Sequence, residues 1–394
     1  MAGGGDLRGR HLRILTFGNP MVDMILHVSN EFVASFGLTH GEAIHAHVAP
    51  EVRQKVVDTV VASPNVVRTT GGSALNSART IQTFLPPQAA IFVGAVGDDS
   101  NADVVCQVAR DQGVEMRIQS VTGCATSTCI CLITPDNERT LLVQRQAHFH
   151  YTLDAAFVES VAAVDLVYVV SFVLSSPPRF ECAHFAATHR APHQLYCMNL
   201  SSANLLQVRV PRVHTTTRRH TPRRQNPDIV ERLVALLPYC QLLLGNDQEV
   251  HALADALHLR DVDMPDLARA ILDTYLAPNA LIVVTAAAAP TWVVHATQSM
   301  AFPVEVPLDF KVQDTNGAGD AFVGGFFAGL MRFCNVADCV ALGHLCALQC
   351  VQEEGCGVHL DPTDLARAHG FFREVSQASS LYELLRAGRP LSAS

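Results

Sequence analysis

Alternation of short apolar runs with helical stretches is the feature that most constrains the fold of this chain. Four apolar runs have the length and composition of buried strands, at Leu166–Val170, Gln194–Asn199, Leu242–Leu244 and Leu281–Thr285. Stretches with helical potential separate them, at residues 178–190, 227–238, 247–258 and 264–276. Because parallel strands are usually joined by a crossover helix, this order predicts an α/β fold whose mainly parallel sheet is covered by helices on both faces.

Composition excludes several classes of function. The chain has 394 residues, 49% hydrophobic and 16% charged, with a net charge of -9. That charge argues against nucleic-acid binding, which needs a basic surface. No apolar run approaches the ~20 residues that cross a bilayer, and residues 1–13 lack a secretory signal. The twelve cysteines are spread through apolar segments, as in reduced intracellular proteins. We expect a cytoplasmic protein, with the nucleus as a second compartment, that binds neither nucleic acid nor membrane.

Residues 314–320 read Asp-Thr-Asn-Gly-Ala-Gly-Asp and run into an apolar helix rich in small residues. Backbone amides at the start of a helix point in one direction, and the helix dipole favours an anion there. Glycines before a helix are more often turn residues alone. The carboxylate of Asp320 beside the amides adds a base that could deprotonate a hydroxyl group. A phosphate site next to a base is the minimum equipment for phosphoryl transfer.

Two further segments place polar residues at the ends of predicted strands. The run Leu12–Phe17 leads into Gly-Asn-Pro-Met-Val-Asp, in which Asn19 and Asp23 are candidates for binding a polar substrate. The alternative is a turn followed by a solvated aspartate. The pair Gly71–Gly72 precedes a helix that carries Asn76 on its first turns. Such glycines allow a ligand to approach the backbone closely, or serve helix packing alone.

Asn246 and Glu249 follow a strand directly and lie three residues apart on the next helix. Their side chains could reach one bound ion or its waters, or they could form a capping box, and the two interpretations are compatible. Arg139 begins the returning strand of a predicted hairpin. It is either structural or, in a phosphate enzyme, a residue that stabilises transferred charge.

Two segments depart from the alternating pattern. Residues 205–226 carry six arginines among prolines, threonines and histidines, without apolar periodicity. We predict a disordered insertion there, with a docking patch for an acidic partner as the alternative. Residues 361–394 are more polar and are predicted to form a peripheral C-terminal tail.

Four segments taken together resemble the ribokinase-type (PfkB) carbohydrate kinases. In order, they are residues 18–23, 71–76, 246–249 and 314–320. The resemblance covers residues 12–360. It implies a three-layer α/β/α domain with nine or ten strands in its central sheet. It also implies a small β-sheet lid, formed from about residues 20–48 and 116–150, that closes over the sugar.

Within the family, the motifs look most like those of members that phosphorylate adenosine. The resemblance implies that the chain is a monomer that transfers the γ-phosphate of ATP to the 5′-hydroxyl of adenosine, with Mg²⁺. It assigns proton removal to Asp320 and stabilisation of the phosphoryl group to the amides of Gly317, Ala318 and Gly319, with Arg139 reaching in from the lid.

The resemblance also implies the binding residues. Those expected at the nucleoside are Asn19, Met21, Asp23, Ile44, Gly71, Gly72, Ser73, Asn76 and Phe172. Those expected at ATP are Asn246, Thr285, Asn316, Gly317 and Gly319. Magnesium is expected near Glu249 and Asn246, through water.

Two other functions fit the same motifs. One is a kinase of this family that acts on another nucleoside or on a sugar. The other is a catalytically silent protein that binds a nucleoside. The family usually has a glycine two residues after Thr285, where this chain has the run Ala286–Ala289, and the added methyl groups favour the silent alternative. The presence of Asp320 and the anion site argues against it.

Overall fold

A computed structural model describes residues 11–38, 48–136, 138–209, 223–259, 262–372 and 380–388. The strands are β1 (Ile14–Phe17), β2 (Met21–His27), β3 (Val67–Gly71), β4 (Ala90–Gly97), β5 (Glu115–Val121), β6 (Thr128–Ile133), β7 (Arg139–Gln144), β8 (Leu166–Val170), β9 (Leu195–Asn199), β10 (Gln207–Arg209), β11 (Arg223–Gln225), β12 (Leu242–Asn246), β13 (Leu281–Ala286), β14 (Ala289–His295) and β15 (Gln298–Phe302).

The α-helices are α1 (Asn30–Ser35), α2 (Pro50–Val61), α3 (Ser73–Thr83), α4 (Ser100–Asp111), α5 (Ala155–Ala162), α6 (Pro177–His189), α7 (Ala203–Leu206), α8 (Pro227–Leu236), α9 (Asp247–Ala256), α10 (Asp266–Tyr275), α11 (Ala318–Met331), α12 (Val336–Cys350), α13 (Pro362–Phe371) and α14 (Leu381–Ala387). Short 3₁₀ helices lie at Ala147–His150, Ser171–Ser175 and Leu237–Tyr239.

The main sheet has nine strands in the order β15-β14-β13-β12-β9-β8-β1-β4-β5. The seven strands from β13 to β5 pair in parallel, and β14 and β15 add an antiparallel edge. Every residue of β1, β4, β8 and β9 is buried, so helices and connections cover both faces. The predicted α/β fold with a mainly parallel sheet is confirmed. The chain order reverses at β1, and ligands in such folds bind beyond the carboxyl ends of the strands at a reversal of this kind.

A second sheet of four strands has the order β3-β2-β6-β7. It differs from the lid that the sequence predicted, about residues 20–48 and 116–150. Strand β3 belongs to this small sheet, paired antiparallel with β2, whereas β5 is the edge strand of the main sheet, parallel to β4. Pairing between strands far apart in sequence is set by tertiary contacts and not by local periodicity, so the sequence pattern did not reveal either placement.

The two peripheral segments are only partly described. At the ends of residues 205–226, β10 pairs antiparallel with β11; residues 210–222 lie outside the described residues, and their predicted disorder stays a prediction. The peripheral character predicted for residues 361–394 is wrong for α14. Its residues Leu381, Tyr382, Leu384 and Leu385 are buried in the main hydrophobic core, because their helical spacing forms one apolar face.

The described part of the chain contains no helix with the length and apolar character needed to span a membrane. All twelve cysteines are free thiols, and most of them are buried.

Candidate active site

Asp320 lies in the first turn of α11 and accepts hydrogen bonds from three residues of α3. The Ser73 hydroxyl donates to its Oδ1 at 2.6 Å, and the Asn76 amide donates to its Oδ2 at 3.0 Å. The Ser77 hydroxyl donates to the Asp320 carbonyl at 3.0 Å. These residues fall on one face of α3 because they are three and four residues apart. Burial raises the pKa of Asp320, and the hydrogen bonds from Ser73 and Asn76 lower it.

Two cavities meet at this carboxylate. The larger, of about 290 Å³, lies between the main sheet and the small sheet. The smaller, of about 90 Å³, lies over the carboxyl ends of β9, β12 and β13. Asp320 and Ser73 line both cavities. A group bound in the larger cavity and one bound in the smaller could therefore both approach the Asp320 carboxylate.

Asp23 on β2 faces the larger cavity from the small sheet. Its carboxylate lies against Gly71, where an added Cβ would come within 2.1 Å of Oδ2, so a larger residue at that position would displace the Asp23 side chain. Burial, followed by the charge of Asp320, raises the pKa of Asp23 to about 7, while Arg79 lowers it. Among the described residues, no hydrogen bond to this carboxylate is present. Asp23 is therefore a half-buried acceptor that a hydroxyl ligand could satisfy.

Asn19, just beyond β1, also lines the larger cavity. Its Oδ1 accepts a hydrogen bond from the fully buried guanidinium of Arg179 on α6. Arg179 also donates to the Ser175 hydroxyl at 3.0 Å and lies 4.4 Å from the centre of the Phe149 ring. Because Oδ1 already accepts from the arginine, the Asn19 amide is oriented with its NH₂ group free to donate to a ligand.

The predicted anion site begins at Gly317, which precedes α11 with φ of 76°. A Cβ at this position would lie 2.8 Å from Cys356, so both backbone conformation and space require glycine. The preceding loop is fixed by the buried Asp314, whose Oδ1 accepts from the backbone N–H of Asn316 at 2.6 Å and whose Oδ2 accepts from that of Gly355 at 2.9 Å.

Arg139 of the small sheet forms an ion pair with Asp314, and it donates to the carbonyl of Gln313 at 3.2 Å. The predicted contact of Arg139 with a transferring phosphoryl group stays a prediction. The ion pair adds a structural role, since it joins the small sheet to the loop that begins the anion site.

Asn246 and Glu249 form the capping box at the start of α9. The Asn246 side chain accepts from the N–H of Glu249 at 2.9 Å, and Glu249 Oε2 accepts from the N–H of Asn246 at 2.9 Å. Burial raises the pKa of Glu249 to about 7, although the hydrogen bond from Asn246 lowers it. Both residues line the smaller cavity, as do Thr285 and Gly319.

These oxygen donors suit magnesium only in a limited way. The described residues contain no cluster of three or more histidine, cysteine, aspartate or glutamate side chains that could hold a metal. Mg²⁺ at nucleotide sites usually keeps several waters and uses one or two carboxylates together with phosphates. With Oε2 of Glu249 engaged in the capping box, its Oε1 fits a contact through water.

The remaining predicted residues divide into three groups. Met21, Gly72, Phe172 and Asn316 line the larger cavity. Ala318 opens α11 between the two glycines, and its N–H donates weakly to the Thr315 carbonyl at 3.4 Å. Ile44 lies outside the described residues.

Sequence reasoning missed several residues of the larger cavity. His148 and Arg145 follow β7 and line it, Cys129 and Cys131 face it from β6, and Arg179 contacts Asn19. Asp314 lay inside the quoted motif but received no role. Alternation along β6 and β7 was the available signal for the cysteines and Arg145. No local pattern distinguishes a buried arginine such as Arg179 from a solvated one.

Comparison with known proteins shows which family and which relatives this chain resembles. The profile of the pfkB family carbohydrate kinases matches residues 31–363. The adenosine kinase of Saccharomyces cerevisiae is 27% identical over 351 residues, which span 87% of this chain and 95% of that protein. The adenosine kinase of Schizophyllum commune is 25% identical over 354 residues, which span 87% of this chain and 96% of that protein.

Solved structures agree with the observed architecture. Anopheles gambiae adenosine kinase in complex with P1,P4-di(adenosine-5) tetraphosphate superposes with a TM-score of 0.73 at 25% identity, covering 88% of this chain and 97% of that one. Schistosoma mansoni adenosine kinase in complex with 2-fluoroadenosine gives a TM-score of 0.75 at 20% identity, covering 89% and 98%, and at that identity supports the fold alone. Since the family profile covers most of the sequence, this chain belongs to the pfkB family of carbohydrate kinases.

Proposed function

We propose that this chain transfers the γ-phosphate of ATP to the 5′-hydroxyl of adenosine and so produces AMP, a step of purine salvage. The position of Asp320 carries the proposal, because its carboxylate lies where the two cavities meet. An acceptor hydroxyl in the larger cavity and a phosphate above the smaller one would face each other across it. The curated relatives named above are adenosine kinases.

The larger cavity suits a nucleoside. Polar groups near Asp320, namely Asp23 and Asn19, match the hydroxyl groups of ribose. A carboxylate accepts hydrogen bonds from two adjacent hydroxyls, and an amide NH₂ donates to one. Apolar side chains of Met21, Phe172 and Val143 supply a surface against which a flat base packs.

Asp320 would act as the general base. Its hydrogen bonds to Ser73 and Asn76 fix the carboxylate before substrate binds, which avoids reorganisation during the reaction. Burial raises its pKa toward the range in which a carboxylate removes a proton efficiently at neutral pH. As the hydroxyl oxygen attacks the γ-phosphorus, its proton passes to Asp320 and ADP leaves.

The chain's own donors would stabilise the phosphoryl group during transfer. Backbone N–H groups at Gly317–Gly319 and the dipole of α11 favour negative charge at this point. Mg²⁺, when bound with ATP, would neutralise phosphate charge, and Glu249 and Asn246 would contact it through water. Arg139 is ion-paired with Asp314, in the loop that leads into this site.

The same proposal includes the oligomeric state and the cellular compartment. We infer a monomer in the cytoplasm, with the nucleus as a second compartment. Twelve free thiols support a reducing compartment.

The direct test is turnover by the purified full chain with ATP and Mg²⁺. Adenosine and ribose are supplied separately, and the product is identified as AMP by chromatography and assigned to the 5′ position by ³¹P NMR. We expect AMP from adenosine, and a kcat/KM for ribose lower by about a hundredfold or more, because ribose lacks the base that the apolar wall would bury. Absence of AMP, or better turnover of ribose, would refute the proposed function.

A further inference from the structure

The larger cavity has a second polar end, opposite the anion site. Along β7, Leu141 and Val143 line the cavity, and Arg145 continues the same alternation just after the strand. Arg139, at the other end of the strand, pairs with Asp314 beside the anion site. Six residues at about 3.3 Å each place the backbone of Arg145 roughly 20 Å from that of Arg139.

The strand register shows which part of a nucleoside this end would contact. Asp23 pairs with Cys129 of β6, and Cys129 pairs with Val143 of β7. Met21 lies two residues before Asp23, and Arg145 lies two residues after Val143, so both fall beyond the row that contains the proposed ribose-binding carboxylate. In this orientation, Arg145 lies at the end of the cavity that receives the base.

His148 contributes a second donor at this end. It is 1% exposed and lines the cavity, and its Nδ1 contacts the Ser127 hydroxyl. Since that hydroxyl oxygen accepts from the N–H of Gln146 at 3.0 Å, its own proton is available for Nδ1. We assign the hydroxyl as the donor to Nδ1, which puts the ring proton on Nε2 and leaves that nitrogen to donate.

The charge state of the ring agrees with this assignment. Burial, together with the nearby charges of Arg179, Arg145 and His150, lowers the pKa of His148 to about 2. The imidazole is therefore neutral at physiological pH and presents one donor.

Arg145 has no acidic partner among the residues that the structure describes. Its guanidinium lies 6.0 Å from the centre of the Phe149 ring, which the buried Arg179 contacts from 4.4 Å. The neighbouring cavity residues Met21, Val143 and Phe172 are apolar. The side chains described at this end thus supply hydrogen-bond donors and positive charge, and the amide oxygen of Asn19, which lines the same cavity, already accepts from Arg179.

This arrangement discriminates between purines by their 6-substituent. A 6-oxopurine presents two acceptors on one edge, O6 and N7, and arginine binds that edge through two parallel hydrogen bonds. Adenine presents the acceptor N7 beside a 6-amino group. That amino group is itself a donor, and it would face the donors of Arg145 and His148. We propose that Arg145, with His148, recognises the O6/N7 edge of the base, so that the same site accepts 6-oxopurine nucleosides, the class of inosine, in addition to adenosine. This inference rests on the proposed function for its reaction, but it concerns the base and not the transfer step.

The experiment compares kcat/KM for inosine with that for purine riboside, which keeps N7 and lacks the 6-oxygen. The wild-type chain, Arg145→Met and Arg145→Lys are measured side by side. We expect wild type to phosphorylate inosine and the inosine-to-purine-riboside ratio to fall roughly 5- to 150-fold in Arg145→Met, the range that one bidentate arginine contributes. Lysine keeps the charge but cannot form the pair of parallel bonds, so Arg145→Lys should restore only part of the ratio.

Arg110→Met is the matched control, since Arg110 is exposed on α4 and outside the cavity, and it should leave the ratio unchanged. Turnover of adenosine without detectable turnover of inosine, or an unchanged ratio in Arg145→Met, would overturn this inference while leaving the proposed function intact. If no nucleoside is phosphorylated, the proposed function fails, and calorimetric titration with inosine still decides the inference. Equal inosine affinity in wild type and Arg145→Met would then refute it.

Discussion

Two of the carboxylates that line the larger cavity, those of Asp320 and Asp23, differ in their hydrogen bonding. Asp320 accepts hydrogen bonds from Ser73 and Asn76, and its position is determined before any ligand binds. Asp23 accepts none from the described residues, lies against Gly71, and has its pKa raised to about 7. One carboxylate is satisfied by the protein and the other is left for a ligand.

The difference follows from what each group has to do. A general base must be aligned with a reacting hydroxyl, and fixed hydrogen bonds supply that alignment. A binding carboxylate gains most when its hydrogen bonds form only with the ligand, because an unsatisfied buried acceptor costs about 1–3 kcal/mol that the ligand then recovers. Asp23 therefore destabilises the free protein and strengthens binding.

Removing the general base tests the role of Asp320 in this comparison and should have the largest effect. In Asp320→Asn, the amide is nearly the same size but cannot take a proton, so turnover with adenosine should fall by about 10² or more. Adenosine binding, measured by calorimetry, should be retained because Asp23 and Asn19 are unchanged.

Asp273→Asn on α10 is the control for Asp320→Asn, since Asp273 is exposed and lines neither cavity. Turnover equal to wild type in Asp320→Asn would exclude the general-base role. Loss of adenosine binding with loss of turnover would instead assign Asp320 to substrate binding.

Substitution of Asp23 tests the role of this carboxylate in ligand binding. Asp23→Asn replaces an acceptor for ribose hydroxyls, and a hydrogen bond to a charged group contributes about 1.5–3 kcal/mol. We therefore expect the Kd for adenosine to rise roughly 10- to 100-fold, measured by calorimetry at pH 8, where the wild-type carboxylate is ionised. Asp103→Asn, at an exposed position of α4, should bind as wild type does.

The same variant should be more stable than wild type at high pH. The folded-state pKa of Asp23, about 7, lies above its ordinary value of 3.8, so the folded protein favours the protonated carboxyl. That contribution is complete below pH 3.8 and is lost as the pH rises through about 7. Urea unfolding at pH 8 should show Asp23→Asn stabilised by about 1 kcal/mol, less than the full shift implies because the side chain is partly exposed. A gain that is equal at pH 5 and pH 8 would contradict the assigned pKa.

Sequence reasoning located Asp320 and Asp23 but not the difference between them. Both stand in short motifs with glycine or proline, and alternation of strands and helices places their segments at the same edge of a parallel sheet. The predicted sheet and the residues around Asp320 follow from such local patterns, which depend on neighbours within a few positions.

What the sequence did not reveal depends on contacts between distant segments. The ion pair between Arg139 and Asp314 joins residues 175 positions apart, and the bond from Arg179 to Asn19 joins residues 160 apart. Strand β3 enters the small sheet through antiparallel pairing with β2 that no periodicity encodes. Partners of this kind decide whether a buried polar group is satisfied, and hence its pKa.

The smallest expected effect concerns strain on the other side of Asp320, at the turn between β13 and β14. Ala287 has φ of 48°, a left-handed conformation that costs a residue with a Cβ about 1–2 kcal/mol. It follows Thr285, which lines the smaller cavity. The unsatisfied carboxylate of Asp23 costs free energy that ligand binding recovers. For Ala287, the described residues show no such compensation, so relieving its strain should not reduce function.

Ala287→Gly should therefore raise the free energy of unfolding by about 0.5–1 kcal/mol in urea, after the greater freedom of glycine in the unfolded chain is subtracted. The KM for ATP should stay equal or fall. Ala288→Gly is the matched control, because Ala288 does not have positive φ, and it should lose about 0.5–1 kcal/mol. If Ala287→Gly weakens ATP binding, the strained turn is a functional feature like Asp23, and the contrast between the two sides of Asp320 does not hold.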